Sequence, residues 1–251
     1  MQLLVCGMHR SGTSAVAHML ARSCGRTLLE DPDWAMTGRL IDVAPQSAEL
    51  TRYDMVKCPR MTEVLPQVLA AHTRARAAVL VRDPRDVLSS ILEKVHAGMP
   101  TRMLEFTRLG VPEQDVGGFA RAYSIYARTV LDTVHGASAP RVRIVVYEKF
   151  WGDKLGTIER LARWLGWPYD HARVEAVQGR QLGPAHTKHH SDQSIKGAGR
   201  WTQDLSVDQL AALAPGLDAY AELRAAADAS PPHTLERLAE PGGDQPRVLR
   251  R

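Results

Sequence analysis

A glycine-framed turn near the start of the chain has the residue types and spacing of a phosphate-binding loop. Gly7 and Gly12 bracket four residues, with an apolar strand before the turn and an apolar-rich helix after it. This arrangement directs backbone N–H groups and the positive end of a helix dipole toward one point, where an anion binds. The spacing matches a P-loop, but Thr13 replaces the lysine of an ATPase and Arg10 places a cation inside the turn. The sequence therefore predicts a site for a phosphorylated nucleotide that is not held in the ATPase manner.

A second group of polar side chains follows a buried strand in the middle of the chain. Arg82 ends an apolar run, and Ser89 and Ser90 come one turn into the next helical segment. Open α/β sheets bind ligands at the carboxyl ends of their strands, and a guanidinium offers paired donors with a permanent charge. The pattern favours a phosphate site. The alternative is a strand-end arginine that pairs with Asp83 or Asp86.

Two later segments carry further candidates. Tyr147 and Glu148 follow another apolar strand, and Lys196 and Gly197 lie in a glycine-rich stretch. Glycines beside a lysine allow a flexible cationic loop that folds over a phosphate. The alternative for this late stretch is a solvated loop.

Apolar runs and amphipathic segments alternate along the chain. The predicted strands are Gln2–Cys6, Thr27–Leu29, Tyr53–Cys58, Ala77–Arg82 and Val142–Tyr147. The predicted helices are Ser14–Ser23, Pro84–His96, Gly118–Val134 and Asp153–Leu165. This alternation predicts an α/β fold with a doubly wound parallel sheet. We expect a single domain over residues 1–228 and a disordered tail over residues 229–251, where proline and glycine are frequent.

Composition narrows the class of protein. The chain has 251 residues, of which 44% are hydrophobic, and a net charge of +4. The charge suits an anionic small ligand, and basic residues are not interleaved with aromatic ones as in nucleic-acid binders, so no nucleic-acid partner is expected. Three cysteines without CxxC spacing favour a reduced, cytoplasmic protein. No apolar run approaches the ~20 residues of a membrane helix, and no spacing indicates a metal site.

Taken in order, these four segments resemble the sulfotransferase family that uses 3′-phosphoadenosine 5′-phosphosulfate (PAPS). The resemblance spans roughly Gln2 to Trp201 and implies a P-loop NTPase-like sulfotransferase architecture. It assigns the 5′-phosphosulfate loop to His9, Arg10, Ser11, Gly12, Thr13 and Ser14. It further assigns the 3′-phosphate pair to Arg82 and Ser90, the neighbourhood of adenine to Tyr147, and the late loop to Lys196 and Gly197.

Four positions depart from the family pattern. Arg10 replaces the loop lysine of cytosolic members that act on small molecules, and Ile195 replaces the arginine that often precedes the late Lys-Gly pair. Ala15 stands where an aromatic residue often stacks on adenine. Pro59 stands where many members carry a catalytic histidine, so the base must come from elsewhere.

The resemblance implies transfer of a sulfuryl group from PAPS, with release of 3′-phosphoadenosine 5′-phosphate (PAP). The expected acceptor is a hydroxyl or amine of a small molecule or carbohydrate. Arg10 is expected to neutralise the leaving phosphate oxygen, and Lys57 to touch the moving sulfuryl group. The alternative for Lys57 is a salt-bridged surface residue. We expect the general base to be Glu30, with Asp31 second and Asp33 third. The alternative is that these acids form a polar turn.

Two other functions remain open at this point, and so does the oligomeric state. A P-loop kinase would need a strand-end acid for Mg²⁺, for which Asp83 is the only candidate. A non-catalytic nucleotide-binding module would bind partners without turnover. The expected acceptor pocket involves residues 34–46 and 97–117 and a helix face with Phe119, Tyr123 and Tyr126, although these aromatic residues also suit core packing.

Overall fold

A parallel sheet of five strands forms the centre of the computed structural model, which describes residues 1–32, 34–35, 48–96, 115–173, 198–199 and 201–229. In these residues the strand order is β2-β3-β1-β4-β5, and every neighbouring pair is parallel. The strands are β1 Leu3–Gly7, β2 Leu28–Glu30, β3 Met55–Lys57, β4 Arg76–Val81 and β5 Val142–Val146. The order reverses between β1 and β4, which is the point where open α/β sheets form a ligand crevice.

The strand register brings the carboxyl ends of the strands to one edge. Glu30 pairs with Lys57 across β2 and β3, and Gly7 pairs with Leu80 across β1 and β4. The polar residues that follow each strand therefore emerge side by side.

Helices cover both faces of the sheet. They are α1 Thr13–Cys24, α2 Leu65–Ala71, α3 Pro84–His96, α4 Val116–His135, α5 Tyr147–Gly152, α6 Lys154–Leu165, α7 Trp201–Asp204, α8 Val207–Ala212 and α9 Ala214–Ala229. Short 3-10 helices span Ala48–Arg52, Pro59–Thr62 and Ala139–Arg141. Leu4 and Cys6 of β1 join the core under α2, α3, α4 and α9, whereas Leu3 and Val5 join the core under α1 and α6. This alternation is that of a strand covered on both faces.

The predicted fold class is confirmed, and each predicted strand and helix exists with bounds shifted by at most two residues. The sequence did not indicate α2, nor α5, which begins directly after β5, nor the C-terminal helices α7 to α9. The expected domain limit at 228 falls beside the end of α9 at Ala229, and residues 230–251 lie outside the described residues. In the described part of the chain, none of the helices has the length and apolar content that crossing a bilayer requires.

Candidate active site

The turn between β1 and α1 depends on two glycines. Gly7 has φ +142°, and a Cβ there would lie 2.4 Å from the Leu80 carbonyl oxygen. Gly12 has φ +92°, and a Cβ there would lie 2.3 Å from Cδ2 of Tyr147. Both values lie in the region that disfavours side chains, and both contacts are too short for any other residue. The amide of Gly7 donates to Oγ1 of Thr62 at 2.8 Å, which fixes the start of the turn.

The N-terminus of α1 keeps its backbone donors available. Gly12 is the N-cap residue, no side chain caps the helix, and its first turn has no acidic residue. In contrast, α4, α6 and α8 are capped by Asp115, Asp153 and Ser206. Uncapped N–H groups and the helix dipole make this end of α1 suited to an anion.

The hydroxyls of the turn are not equivalent. Ser11 Oγ donates to the Met8 carbonyl at 2.5 Å, and Ser14 Oγ donates to Oε1 of Glu30 at 3.0 Å. Thr13, the first residue of α1, is buried. Ser11 and Ser14 therefore stabilise the turn and connect it to β2.

Arg10 joins the turn to the strand-end group of β4. Its Nε donates to Oγ of Ser90 at 3.0 Å, and its carbonyl oxygen accepts from Nη1 of Arg82 at 3.1 Å. The first contact joins residues that are 80 positions apart in the sequence, and the second joins residues that are 72 positions apart. Two guanidinium groups and a hydroxyl therefore meet at the crevice between β1 and β4.

The ring of Tyr147 packs against the cluster formed by Arg10, Arg82 and Ser90. Its ring packs on Gly12, and the guanidinium carbon of Arg82 lies 4.3 Å from the ring centroid. Only 2% of Tyr147 is exposed, so its ring packs beneath Arg82 and the turn and does not face the solvent. The hydroxyl of Tyr123 donates to the Arg82 carbonyl at 2.7 Å and fixes the same residue from α4.

A network of charges lies at the ends of β2 and β3. Nζ of Lys57 lies 2.5 Å from Oδ2 of Asp31 and 3.3 Å from Oε1 of Glu30. His18 of α1 completes the network, with Nε2 lying 3.0 Å from Oε2 of Glu30. Lys57 is buried, so the two carboxylates offset the cost of its charge.

The pKa values of the two acids in this network are shifted in opposite directions. Burial acts to raise the pKa of Glu30, but the hydrogen bond with His18 and the charge of Lys57 outweigh it and lower this pKa to about 2. Burial raises the pKa of Asp31, against the opposing charge of Lys57. The Asp31 side chain is 39% exposed, so it is the acid that a bound molecule reaches more readily.

His9 lies in the turn beside these charges. Its Nδ1 is buried without a hydrogen-bond partner in the part of the chain that the structure describes. Burial, followed by the charges of Lys57, Arg10 and Arg60, lowers the pKa of His9 to about 4. The imidazole is therefore neutral at pH 7.

Two of the residues in this region have left-handed backbone conformations without being glycine. Arg10 has φ +70° and Asp31 has φ +43°. Such conformations are strained for residues with a Cβ and concentrate at functional sites.

Of the two acids that the sequence offered as partners of Arg82, Asp83 pairs with another arginine and Asp86 lies beside Arg82. Asp83 accepts two-pronged hydrogen bonds from Arg85, the shortest at 2.5 Å. Oδ2 of Asp86 lies 4.0 Å from Nη2 of Arg82. Asp83, the acid that a kinase would need for Mg²⁺, is thus paired with a guanidinium. Among the described residues, no three His, Cys, Asp or Glu side chains converge as a metal site requires.

Several expected residues take a different place or lie outside the description. Phe119, Tyr123 and Tyr126 are buried, and Tyr126 donates to the Leu80 carbonyl, so these aromatic residues pack in the core. Asp33, Lys196, Gly197 and most of the expected acceptor segments lie outside the described residues. Sequence reasoning missed His18, although it lies four residues after Ser14 on the same face of α1.

Solved sulfotransferases share this fold over most of the chain. The mouse sulfotransferase SULT7A1 complexed with PAP superposes with a TM-score of 0.59 at 14% identity, over 90% of this chain and 88% of its own. For the sulfotransferase domain of the Synechococcus PCC 7002 olefin synthase the TM-score is 0.57 at 14% identity, over 89% and 94% of the two chains. A sulfotransferase from Alicyclobacillus acidocaldarius gives 0.54 at 13% identity, over 88% and 94%.

The sequence itself matches a family model. No curated protein sequence matches the chain at a significant level. The model described as "Sulfotransferase family" matches residues 35–171, which is more than half of the 251 residues. This range includes Arg82, Ser90 and Tyr147, and the chain therefore belongs to the sulfotransferase family.

Proposed function

We propose that this protein transfers the sulfuryl group of PAPS in line to a hydroxyl or amine of a small-molecule or carbohydrate acceptor and releases PAP. The observation that carries the proposal is the junction of Arg10, Arg82 and Ser90. This junction brings the turn after β1 next to the end of β4. A nucleotide with two phosphorylated positions can therefore contact the turn with one phosphate and the end of β4 with the other. PAPS supplies an activated sulfuryl group on a mixed anhydride, and the chain supplies position and charge.

The residues present fit such a nucleotide. The uncapped N-terminus of α1 and the hydroxyl of Thr13 suit the 5′-phosphosulfate. The guanidinium of Arg82 is held by the Arg10 carbonyl and by the Tyr147 ring, so it is preorganised for the 3′-phosphate. We propose that Ser90 and the late Lys196-Gly197 pair complete the 3′-phosphate site, with Ser14 near the 5′ side.

For the acceptor, we propose that Asp31 rather than Glu30 takes the proton. Glu30 is engaged by Ser14, His18 and Lys57 and has a pKa of about 2, which makes it a weak base. Asp31 has a raised pKa and greater exposure. Lys57 lies between the two acids and adds positive charge beside the moving sulfuryl group. Glu30 then serves to hold Ser14 and Lys57 in position.

Asp31→Asn is expected to lower kcat by about a hundredfold or more, because an amide does not accept the acceptor proton. Asparagine tolerates the left-handed conformation of residue 31, but the buried Lys57 keeps only Glu30 as a carboxylate partner, so the melting temperature should fall. The kcat of the wild-type protein should fall at low pH as Asp31 is protonated, and this decrease at low pH should be absent in the variant. The measurement is a pH profile of kcat with a sulfated-product assay.

Glu30→Gln is the matched control. It keeps the size of the side chain and one acceptor oxygen, and it should lower kcat by only about tenfold while leaving PAP affinity unchanged. A larger loss of kcat in Glu30→Gln than in Asp31→Asn would return the base to Glu30.

The proposed cofactor is tested by melting temperature with different nucleotides. Because a ligand that binds only the folded state stabilises it, PAP without Mg²⁺ should raise the melting temperature more than adenosine 5′-phosphate does. Stabilisation by ATP with Mg²⁺ alone would instead indicate a kinase, and stabilisation by PAP without turnover on a broad panel of acceptors would indicate a non-catalytic nucleotide-binding module.

We also propose a cytoplasmic location. Cys6, Cys24 and Cys58 are buried, free thiols, and thiols persist in reducing compartments.

A further inference from the structure

Asp86 in the first turn of α3 connects two distant parts of the chain. Its Oδ2 accepts the backbone N–H of Gly199 at 2.8 Å, and its Oδ1 accepts the backbone N–H of Trp201 at 3.3 Å. The same Oδ2 lies 4.0 Å from Nη2 of Arg82. Asp86 is only 1% exposed. A carboxylate this deeply buried is tolerated only when donors and positive charge surround it, so these contacts are what hold it there.

The segment that Asp86 binds is also held from a second direction. The guanidinium carbon of Arg85 lies 4.0 Å from the centroid of the Trp201 ring. Arg85 is itself fixed by its two-pronged hydrogen bonds to Asp83. The first turn of α3 therefore holds the backbone amides of Gly199 and Trp201 through Asp86, and the Trp201 ring through Arg85.

The other contact of Asp86 is the arginine proposed for the 3′-phosphate. Arg82 is positioned by the Arg10 carbonyl, by the Tyr147 ring and by Asp86. In the sequence, Gly199 comes two residues after Gly197 of the late Lys-Gly pair. One carboxylate thus touches both the strand-end guanidinium and the segment that directly follows this pair.

We infer that Asp86 is a positioning residue that sets the preference for a nucleotide carrying a 3′-phosphate, an inference that rests on the proposed function. By holding Arg82, Gly199 and Trp201 in the folded protein, Asp86 removes an ordering cost that nucleotide binding would otherwise carry. Its negative charge acts in the opposite direction, because it repels a phosphate. The two effects on PAP affinity have opposite signs. Substitution by a neutral isostere removes both, so the sign of the change in PAP affinity shows which effect is larger.

The test compares PAP with adenosine 5′-phosphate, which lacks the 3′-phosphate, by isothermal titration. Asp86→Asn is expected to weaken PAP binding by about tenfold and to leave adenosine 5′-phosphate binding unchanged, because an amide oxygen cannot replace the charge-assisted contacts to Arg82 and to both amides. Unchanged or tighter PAP binding would overturn the inference, because it would show that Asp86 acts only as a nearby negative charge. The surface variant Glu159→Gln removes a carboxylate far from these contacts and should alter neither affinity.

Hydrogen exchange tests the tether without any nucleotide. In Asp86→Asn the amides of Gly199 and Trp201 should exchange faster than in the wild-type protein, while those of β1 and β4 keep their protection. Equal exchange in both proteins would contradict the tether. If Asp86→Asn does not fold, Arg85→Ala removes the contact with the Trp201 ring and should reduce the PAP preference in the same direction.

Different results would overturn the proposed function and the inference about Asp86. A wild-type protein that binds PAP no better than adenosine 5′-phosphate overturns both the proposed function and this inference. A wild-type preference that Asp86→Asn retains overturns this inference alone.

Discussion

Replacing Arg10 with alanine is expected to lower kcat by about a hundredfold to a thousandfold, the size of effect seen when a group that stabilises developing charge is removed. Arg10 is the cation within the turn, and we propose that it neutralises the oxygen on which charge grows as the sulfuryl group leaves. The side chain is partly exposed and belongs to a turn, so the melting temperature should stay close to that of the wild-type protein. Steady-state kinetics with saturating PAPS give the measurement.

Arg10→Lys is the control for this variant, because it keeps a positive charge at the same place. It should retain most of the turnover, whereas alanine should not. A different result would assign Arg10 another role. In this structure its Nε bonds Ser90, so a raised KM for PAPS with an unchanged kcat would show that Arg10 serves the 3′-phosphate.

Replacing Arg82 with alanine is expected to weaken PAP binding by about a hundredfold, because it removes the buried guanidinium that we propose binds the 3′-phosphate. Binding of adenosine 5′-phosphate should change much less, since that nucleotide lacks the 3′-phosphate proposed to contact Arg82. Isothermal titration with both nucleotides measures this difference. The kcat with saturating PAPS should fall far less than in Arg10→Ala.

Arg82→Lys separates charge from geometry. A lysine keeps the charge, but a single ammonium cannot bond the Arg10 carbonyl and a phosphate with the same parallel donors. Its PAP affinity should lie between those of the wild-type protein and Arg82→Ala. Loss of adenosine 5′-phosphate binding to the same extent would place Arg82 at a different part of the nucleotide.

The strands and the first helices could be predicted because their signals are local. The buried runs of β1, β4 and β5 are continuous and apolar, and Pro84 and Asp153 mark helix starts. The turn at Gly7 and Gly12 could also be predicted, because its positive φ values and close contacts restrict both positions to glycine, and glycine is visible in the sequence. The strand-end placement of Arg82 followed from the parallel sheet alone.

The remaining parts depend on contacts between residues far apart in sequence. Nothing local indicates that Tyr220 of α9 donates to Glu148, which in turn accepts the amide of Asp83. The choice between Glu30 and Asp31 required knowing that His18 and Ser14 engage only the first of these. For the same reason, Asp86 was considered only as a partner of Arg82, and its contact with Gly199 was unforeseen.

The left-handed conformations of Arg10 and Asp31 set a limit on how this protein can be made more robust. At Arg10, glycine would relieve roughly 1 kcal/mol of backbone strain, since glycine adopts such angles without steric cost. Selection for heat tolerance alone would therefore favour glycine there and would discard the guanidinium. At Asp31 the strain is smaller, because aspartate visits this region more readily, and glycine would also leave the buried Lys57 with a single carboxylate partner. Resistance to unfolding and the proposed chemical role are therefore in opposition at Arg10, so a thermostable variant must gain its stability elsewhere.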